Sequence, residues 1–416
     1  MDTARVAAPQ GLVSEAELAA IRAAADRAQP AFVADLGALV GIDCGSYTKA
    51  GVDLVGRWVA ERFRALGGTV EIRPHETLGD TLIGTFDGQH PDGQTVLCIG
   101  HLDTVFDEGT AAGRPFAIDG QGIARGPGVT DMKGGLLTGL YAIAALRDVF
   151  GGLPLGRLVY VANPDEEIGS PTSTAHIKEL AAGADVALVL ECARANGDIV
   201  SSRKGIMTLT LTVRGRAAHA GVEPEKGRSA ILEGARLVTG LHALNGRWSG
   251  VTFNVGVIAG GTRPNVVAER CHLELDVRAV TRDGLEQAER TIKELVAATV
   301  VPDVTVDVES THHWWPMEKL ERSGRLVDHA IGLASSLGFP LKDAATGGAS
   351  DGNTTAGMGL PTIDGLGPIG GLDHSPGEYL EVASIAPRTA LLAALLATIG
   401  RDTEIAAWRT ERLARR

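Results

Sequence analysis

Cysteine is scarce in this sequence, and the four that occur are scattered without a CxxC pair: Cys44, Cys98, Cys192 and Cys271. Disulfide frameworks and thiolate zinc sites depend on recurrent, closely spaced cysteines. Neither is indicated here. We expect reduced and mostly buried thiols.

Positive charge is also in deficit. Lysine and arginine together number 39 against 51 aspartates and glutamates, which gives a formal net charge of -12. A chain with this balance repels phosphate backbones and anionic lipid surfaces. We therefore expect no nucleic-acid partner.

Long apolar runs are missing as well. The longest, Ala390 to Ala397, is far shorter than the roughly 20 residues that a membrane helix needs, so no membrane partner is expected. The N-terminus carries Asp2, Glu15 and Glu17 and lacks the basic region and apolar stretch of a signal peptide. These features predict a cytoplasmic protein.

What the chain does have is length and apolar content. Its 416 residues, 44% of them hydrophobic, suffice for a sizeable core and lie near the size at which chains divide into two domains. A globular enzyme is the default expectation.

The first half of the sequence alternates short apolar runs with longer helical patterns, an order that predicts an α/β fold with a mainly parallel sheet. Strands are predicted over 95–99, 158–162 and 186–190, and helices over 136–150 and 172–181.

From Gly205 the pattern changes to half-exposed strands and amphipathic helices in the order β-α-β-β-α-β, which predicts a separate α+β, ferredoxin-like domain with an antiparallel sheet. Its strands are predicted over 207–213, 252–258, 272–278 and 304–308, and its helices over 229–244 and 285–298. After Pro316 the earlier alternation resumes. We therefore predict a discontinuous catalytic domain, 1–204 and 316–416, interrupted by an inserted domain, 205–315.

Metal-binding residue types follow the predicted parallel strands. The first run leads into His101, the second into Glu166 and Glu167, and the third into Glu191. Ligands collect beyond the carboxyl ends of strands in open parallel sheets. These side chains are therefore expected at one edge of the sheet.

Two further loops supply Asp131, at a predicted helix start, and His374. An acid is favoured at a helix start whether or not it binds metal, and a lone histidine is more often structural. Convergence changes this balance, because two histidines and three carboxylates form a donor set suited to zinc. A shared aspartate can also bridge two ions roughly 3.5 Å apart.

The motifs GHLDTV, GPGVTDMKGG, NPDEEIGS, RGRAAHAG and DHSPGE occur in this order along nearly the whole chain. In them the sequence resembles the metallopeptidase M20 family, and within it the glutamate carboxypeptidase and aminoacylase branch. The resemblance implies two Zn²⁺ ions per chain, with Co²⁺ or Mn²⁺ as possible substitutes. It also implies that the inserted domain is a lid that forms a homodimer.

Residue by residue, the resemblance implies that His101 and Glu191 hold one zinc ion, that Glu167 and His374 hold the other, and that Asp131 bridges them.

The resemblance also implies that Asp103 orients the imidazole of His101. Glu166 would accept a proton from the attacking water and pass it to the leaving amine.

In the inserted domain, His219 resembles the family histidine that reaches into the partner subunit's active site and stabilises the oxyanion. Asn265 and Arg278, expected on the lid strands, resemble the groups that hold the free carboxylate of the substrate, a task suited to a guanidinium. The alternative for Arg278 is a surface salt bridge.

The pattern departs from the family at substrate specificity. Positions that meet a glutamate side chain in relatives fall near Asp198 and Trp315, unless a small shift brings Arg203 or Lys204 into play. The segment 312–315, His-His-Trp-Trp, is equally compatible with an aromatic-tolerant pocket and with packing at a domain junction.

The resemblance therefore implies a zinc-dependent, glutamate-carboxypeptidase-like hydrolase that cleaves an amide or peptide bond next to a free carboxylate, in a small molecule or short peptide. The nearest alternative is an N-acyl or N-carbamoyl amino acid amidohydrolase, which would use the same centre. A metal-bound protein that binds ligands without turnover is a third hypothesis, against which the retention of Glu166 beside five ligands argues.

Overall fold

The computed structural model describes residues 11–414, so Asp2 lies outside the described residues. The helices are α1 (Glu15–Val40), α2 (Lys49–Ala65), α3 (Thr110–Gly113), α4 (Gly134–Phe150), α5 (Thr174–Gly183), α6 (Ala230–His242), α7 (Arg282–Ala297), α8 (Glu321–Ser336), α9 (Gly352–Gly357), α10 (Ile385–Arg401) and α11 (Thr403–Ala414).

The strands are β1 (Thr69–Arg73), β2 (Thr81–Asp87), β3 (Thr95–His101), β4 (Ala117–Ile118), β5 (Ile123–Arg125), β6 (Arg157–Asn163), β7 (Val186–Val189), β8 (Ile199–Arg203), β9 (Gly205–Arg214), β10 (Thr252–Gly260), β11 (Arg270–Ala279), β12 (Thr305–Trp314), β13 (Asp343–Thr346), β14 (Thr362–Ile363), β15 (Gly370–Gly371) and β16 (Tyr379–Glu381).

The chain forms two compact units. The first comprises the chain up to Ser201, Lys319–Ala345 and the chain from Ser350 onward. The second comprises Ser202–Glu318 together with Thr346–Ala349. The division into a catalytic and a lid domain remains a prediction about what these units do.

The first unit contains a six-stranded sheet in the order β1-β2-β6-β3-β7-β14. Strands β6, β3, β7 and β14 run parallel, and the pair β1 and β2 is antiparallel at one edge. The predicted mainly parallel α/β sheet is confirmed. Its register places His101 at the end of β3 directly beside Asn163 at the end of β6.

Both faces of this sheet are covered by other elements. Successive side chains of a strand point to opposite faces, so each strand contributes to two cores. On β3, Val96 and Cys98 join the larger core, to which α1, α4 and α10 contribute. Leu97 and Ile99 join a smaller core that includes Ile177 of α5. The sheet is thus buried on both sides, which explains its nearly continuous apolar strands.

The apolar run near the C-terminus belongs to a longer helical segment than the sequence suggested. Val382–Arg401 is long and apolar enough to cross a membrane by length and composition, and 83% of its most apolar window is buried within the chain. Arg388 lies inside it, fully buried, and donates hydrogen bonds to the carbonyls of Gly197, Gly365 and Gly367. Packing in the core of the first unit accounts for the apolar character of this helix.

A small antiparallel sheet in the order β15-β16-β5-β4 also belongs to the first unit. Strand β5 leads into the loop that carries Asp131, and β15 and β16 flank the loop that carries His374. Tyr379 pairs with Arg125 and Leu380 with Ala124. This pairing brings two loops together that are about 250 residues apart in sequence.

The second unit contains a four-stranded antiparallel sheet in the order β10-β11-β9-β12, with α6 and α7 packed against it. Its chain order is strand-helix-strand-strand-helix-strand. One expectation about this unit is wrong: Asn265 lies in the connection between β10 and β11 and not on a strand. Pro264, which lacks an N–H group for a ladder, precedes it.

Candidate metal centre

The first of two ligand sets surrounds His101, which is buried at the end of β3. Its Nε2 lies 3.2 Å from Oδ1 of Asp131 and 3.6 Å from Oε1 of Glu191. Glu191 follows β7, the strand next to β3. Potential ligand atoms of these three residues all lie within 4.8 Å of one another, a spacing at which one ion can contact all three.

The second set surrounds His374. Its Nε2 lies 3.1 Å from Oδ2 of Asp131 and 3.1 Å from Oε2 of Glu167. These ligand atoms also lie within 4.8 Å of one another. Asp131 therefore belongs to both sets, with one carboxylate oxygen directed to each histidine.

Asp131 does not cap a helix, which removes the plainest alternative explanation for an acid at this position. Its backbone is extended, with φ −115° and ψ 94°, and α4 begins only at Gly134 with Lys133 as its N-cap residue. The sequence predicts a helix start at Asp131, but α4 begins three residues further along the chain.

The donor set fits metal ions. Oε1 of Glu167 is buried and has no hydrogen-bond partner in the described chain, which is costly for an anionic oxygen unless a cation occupies its free side. Burial and the neighbouring charge of Asp131 raise the pKa of Glu167 to about 7. Hydrogen bonds to Asp131 and Glu167 raise the pKa of His374 to about 10. The cluster therefore attracts positive charge, and imidazole with carboxylate is a ligand combination that zinc accepts.

Asp103 is buried among groups that it holds in place. Its Oδ1 lies 3.3 Å from Nδ1 of His101 and accepts the N–H of Glu166 at 3.2 Å. Its Oδ2 accepts the hydroxyl of Ser46 at 2.6 Å and the N–H of Glu167 at 3.2 Å. One carboxylate thus connects the imidazole of the first set with the loop that supplies Glu166 and Glu167.

Glu166 stands beside both sets and belongs to neither. Its side chain is half-buried. Burial raises the pKa of Glu166 well above its usual value, His101 opposes this, and Glu191 and Asp351 add to the rise. A carboxyl group whose pKa is raised next to a candidate metal centre is suited to general acid–base work.

The loop carrying Glu166 is anchored by buried polar residues to which no role was assigned from the sequence. Asp351 accepts the hydroxyl of Ser170 at 2.6 Å and the side-chain amide of Asn163 at 2.5 Å. Asp165 accepts the N–H of Thr172 at 2.6 Å. The contacts of Asp351 join segments that are more than 180 residues apart in sequence, and no local pattern signals them.

Ser46 was missed for the same reason, since it lies 57 residues before its partner Asp103. Glu378 was missed although it ends the DHSPGE motif. The position of Glu378 at the end of this motif is the signal that could have indicated a role for it.

In the second unit, His219 and Asn265 lie on neighbouring segments. His219 forms an isolated β-bridge with Val266, and the carbonyl of Asn265 accepts the N–H of Ala220 at 3.0 Å. Both residues are exposed. The structure thus brings these two predicted residues together.

Arg278 lies apart from them, on strand β11 and eight residues along it from Arg270. Its guanidinium donates to Oδ1 of Asp276 at 3.1 Å and to the carbonyl of Gly347 at 2.8 Å. The salt bridge considered as its alternative role is therefore present.

The residues considered for specificity are engaged in packing and hydrogen bonds. Trp315 packs against the core of the second unit, and the guanidinium of Arg282 lies over its ring at 4.4 Å from the centroid. Arg203 is buried and donates to the carbonyl of Gly348 at 3.2 Å. Asp198 accepts the N–H of Lys342 at 3.1 Å.

A mainly parallel sheet with two adjacent sets of histidine and carboxylate ligands at its carboxyl edge, beside an unassigned glutamate, is the arrangement of a metal-dependent hydrolase. Comparison with known proteins agrees. Residues 97–398 match the Peptidase family M20/M25/M40, and the chain belongs to this family. The predicted family, and with it the assignment as an M20-type metallopeptidase or amidohydrolase, is confirmed.

Individual relatives differ in the reactions their names describe. The chain is 30% identical over 382 residues to carboxypeptidase G2 of Pseudomonas sp. (strain RS-16), covering 91% of each chain. It is 27% identical over 366 residues to acetylornithine deacetylase of Proteus mirabilis (strain HI4320), covering 84% of this chain and 89% of the relative. Its fold matches that of aminopeptidase PepT from Bacillus cereus ATCC 10987 with a TM-score of 0.71 and 24% identity, covering 94% of this chain and 100% of the other. These similarities support hydrolysis of an amide bond.

Proposed function

We propose that this protein is a two-metal hydrolase that cleaves an amide or peptide bond next to a free carboxylate. His101 and Glu191 would hold one zinc ion, Glu167 and His374 the other, and Asp131 would bridge them. The observation that carries the proposal is the shared position of Asp131, which is 3.2 Å from one histidine and 3.1 Å from the other.

When bound, the metal ions would make a water molecule nucleophilic near neutral pH and polarise the scissile carbonyl. The chain's own residues supply the proton transfers. Glu166 accepts a proton from the attacking water and donates it to the amine that leaves. Asp103 holds His101 and the Glu166 loop in fixed positions relative to each other through the contacts of its two carboxylate oxygens.

Two reactions fit this centre. Carboxypeptidase action, as the name of the Pseudomonas relative describes, is the main proposal, because that relative covers 91% of the chain. Removal of an acyl group from an N-substituted amino acid is the second, favoured by the similarity to acetylornithine deacetylase. Both place an amide beside a free carboxylate.

We further propose that Asn265 and Arg278 bind that carboxylate and that His219 stabilises the oxyanion. Arg278 is near one end of β11, whereas the segments of His219 and Asn265 lie beyond its other end, at Arg270. Eight residues of extended strand span about 26 Å. A small substrate bound by Arg278 of one copy would therefore meet His219 and Asn265 of another.

The second unit has a surface suited to such a homodimer. Strand β10 is an edge strand, and its outer part is exposed and includes Val257 and Ile258, which are 42% and 50% exposed. On α6, Ile231 and Leu232 are 41% and 60% exposed. An exposed edge strand with apolar neighbours is a template for pairing with a second chain.

The test is a panel of dipeptides, N-acyl amino acids and N-carbamoyl amino acids, assayed with the metal-free protein before and after addition of Zn²⁺, Co²⁺ or Mn²⁺. We expect hydrolysis only with metal, and only of amides whose carboxylate is free. Equal turnover of the matching C-terminal amides would contradict the role of the carboxylate. Full activity of the chelated, metal-free protein would contradict the proposed function.

A further inference from the structure

Glu378 is a buried carboxylate, 1% exposed, that lies outside the proposed ligand set. Its Oε2 accepts the N–H of Gly128 at 2.9 Å. Its Oε1 accepts the N–H of Thr130 at 2.9 Å and that of Asp131 at 3.1 Å. A single side chain thus binds three backbone donors of the loop that presents Asp131.

This loop needs such an acceptor because of its conformation. Asp131 is extended and Gly128 is left-handed, with φ +70°, so the N–H groups that Glu378 binds have no partner in a regular helix. Buried backbone donors without partners are costly. At the other end of the loop, Nζ of the buried Lys133 donates to the carbonyls of Pro127 and Ile42, each at 3.1 Å.

The neighbouring sheet does not make this contact redundant. Strands β16 and β5 are already joined by backbone pairing of Leu380 with Ala124 and of Tyr379 with Arg125. That pairing ends before Gly126, where the loop begins. The Glu378 side chain therefore acts on the segment that the sheet leaves unsupported, and it does so by binding the N–H of Asp131 itself.

We propose that Glu378 is a positioning residue for the shared aspartate: it fixes the 128–131 backbone so that Asp131 presents one oxygen to each ligand set. Because both sets share Asp131, displacement of this loop weakens both metal sites together. This inference rests on the proposed two-metal function.

The test measures zinc affinity and not turnover alone. Metal-free wild type and Glu378→Gln are titrated with zinc in competition with a chelator of known affinity. Glutamine keeps the shape of the side chain but places an NH₂ group against a backbone donor. Glu378→Asp keeps the charge but withdraws the carboxylate by one methylene. Glu381→Gln, three residues further along in β16, is the matched control.

We expect both Glu378 variants to bind both zinc ions at least about 10-fold more weakly, as for other residues that orient metal ligands. The two affinities should fall in parallel, and Glu381→Gln should bind like wild type. Excess zinc should restore most of the kcat of the variants, which a generally damaged fold would not allow. If Gln fails to fold, the Asp variant decides.

Unchanged affinity at both sites in a folded Glu378 variant would overturn the proposal, as would weakening confined to one site. Normal affinity in Glu378→Asp alone would show that only the charge matters, and would also overturn it. If wild type binds fewer than two ions, the proposed two-metal function itself fails. That outcome is distinct from failure of the Glu378 inference.

Discussion

The candidate groups of the two units differ in how firmly the chain holds them. In the first unit, Asp131, Glu167 and His101 are contacted by other residues on several sides, and Asp103 alone binds three partners beside His101. In the second unit, His219 and Asn265 are exposed, and Arg278 is bound to Asp276. The groups that we propose for the chemical step are preorganised within one chain, and those that we propose for substrate recognition are not.

This difference has a physical explanation. A cluster of buried carboxylates is stable only when every member is hydrogen-bonded or coordinates a cation, so its surroundings must be rigid. Groups that bind a substrate carboxylate must instead remain available until the substrate arrives. We therefore expect mutations in the first unit to affect metal binding or the chemical step, and mutations in the second to affect recognition or assembly.

The largest effect is expected from Asp131→Ala. Both ligand sets lose their common member, so both zinc ions should be lost and activity should fall to background. Metal analysis of the purified variant checks this, with His374→Ala as the comparison, which should lose mainly one ion. Retention of one full equivalent of zinc in Asp131→Ala would show that the sets are independent.

Glu166→Gln should come next. It removes the proton acceptor and preserves shape, so turnover should fall by roughly 100-fold or more while metal content is unchanged. Steady-state kinetics, together with zinc analysis and thermal unfolding, check this. Near-normal kcat in the variant would remove Glu166 from the proton-transfer role.

A mixed dimer tests whether His219 of one chain completes the active site of the other. His219→Ala and Glu166→Gln chains, co-expressed with different tags, form a mixed species in which one site has both residues intact. Each homodimer should be nearly inactive, and the isolated mixed dimer should recover part of the wild-type activity. No recovery in a verified mixed dimer, or a fully active monomer, would mean that His219 does not complete a partner's site.

The smallest effect is expected at the ion pair of Arg278. An exposed pair contributes about 0–1 kcal/mol, so Asp276→Asn should free the guanidinium and lower KM by up to roughly five-fold. Asp307→Asn, which breaks the pair with Arg214 in the same sheet, is the control and should leave KM unchanged. A raised KM in Asp276→Asn would show instead that Asp276 orients Arg278.

The sequence predicted those parts of the molecule that follow local patterns or family motifs. The parallel strands, the strand and helix order of the second unit and the convergence of His101, Glu167 and Glu191 at one sheet edge were all predicted. What it did not predict depends on contacts between distant segments. The bond from Ser46 to Asp103 and those from Glu378 to the 128–131 loop arise only when the chain folds. The extended backbone at Asp131 was also not predicted, because the residues around it suggest a helix start.

The proposed function depends on Asp131 bridging two metal ions. Crystals of the zinc-loaded protein, measured on both sides of the zinc absorption edge, test it most directly. We expect two anomalous peaks roughly 3.5–4 Å apart, with one Asp131 oxygen at each, His101 and Glu191 at the first, and Glu167 and His374 at the second. A single peak at full zinc occupancy, or two peaks without Asp131 between them, would contradict it.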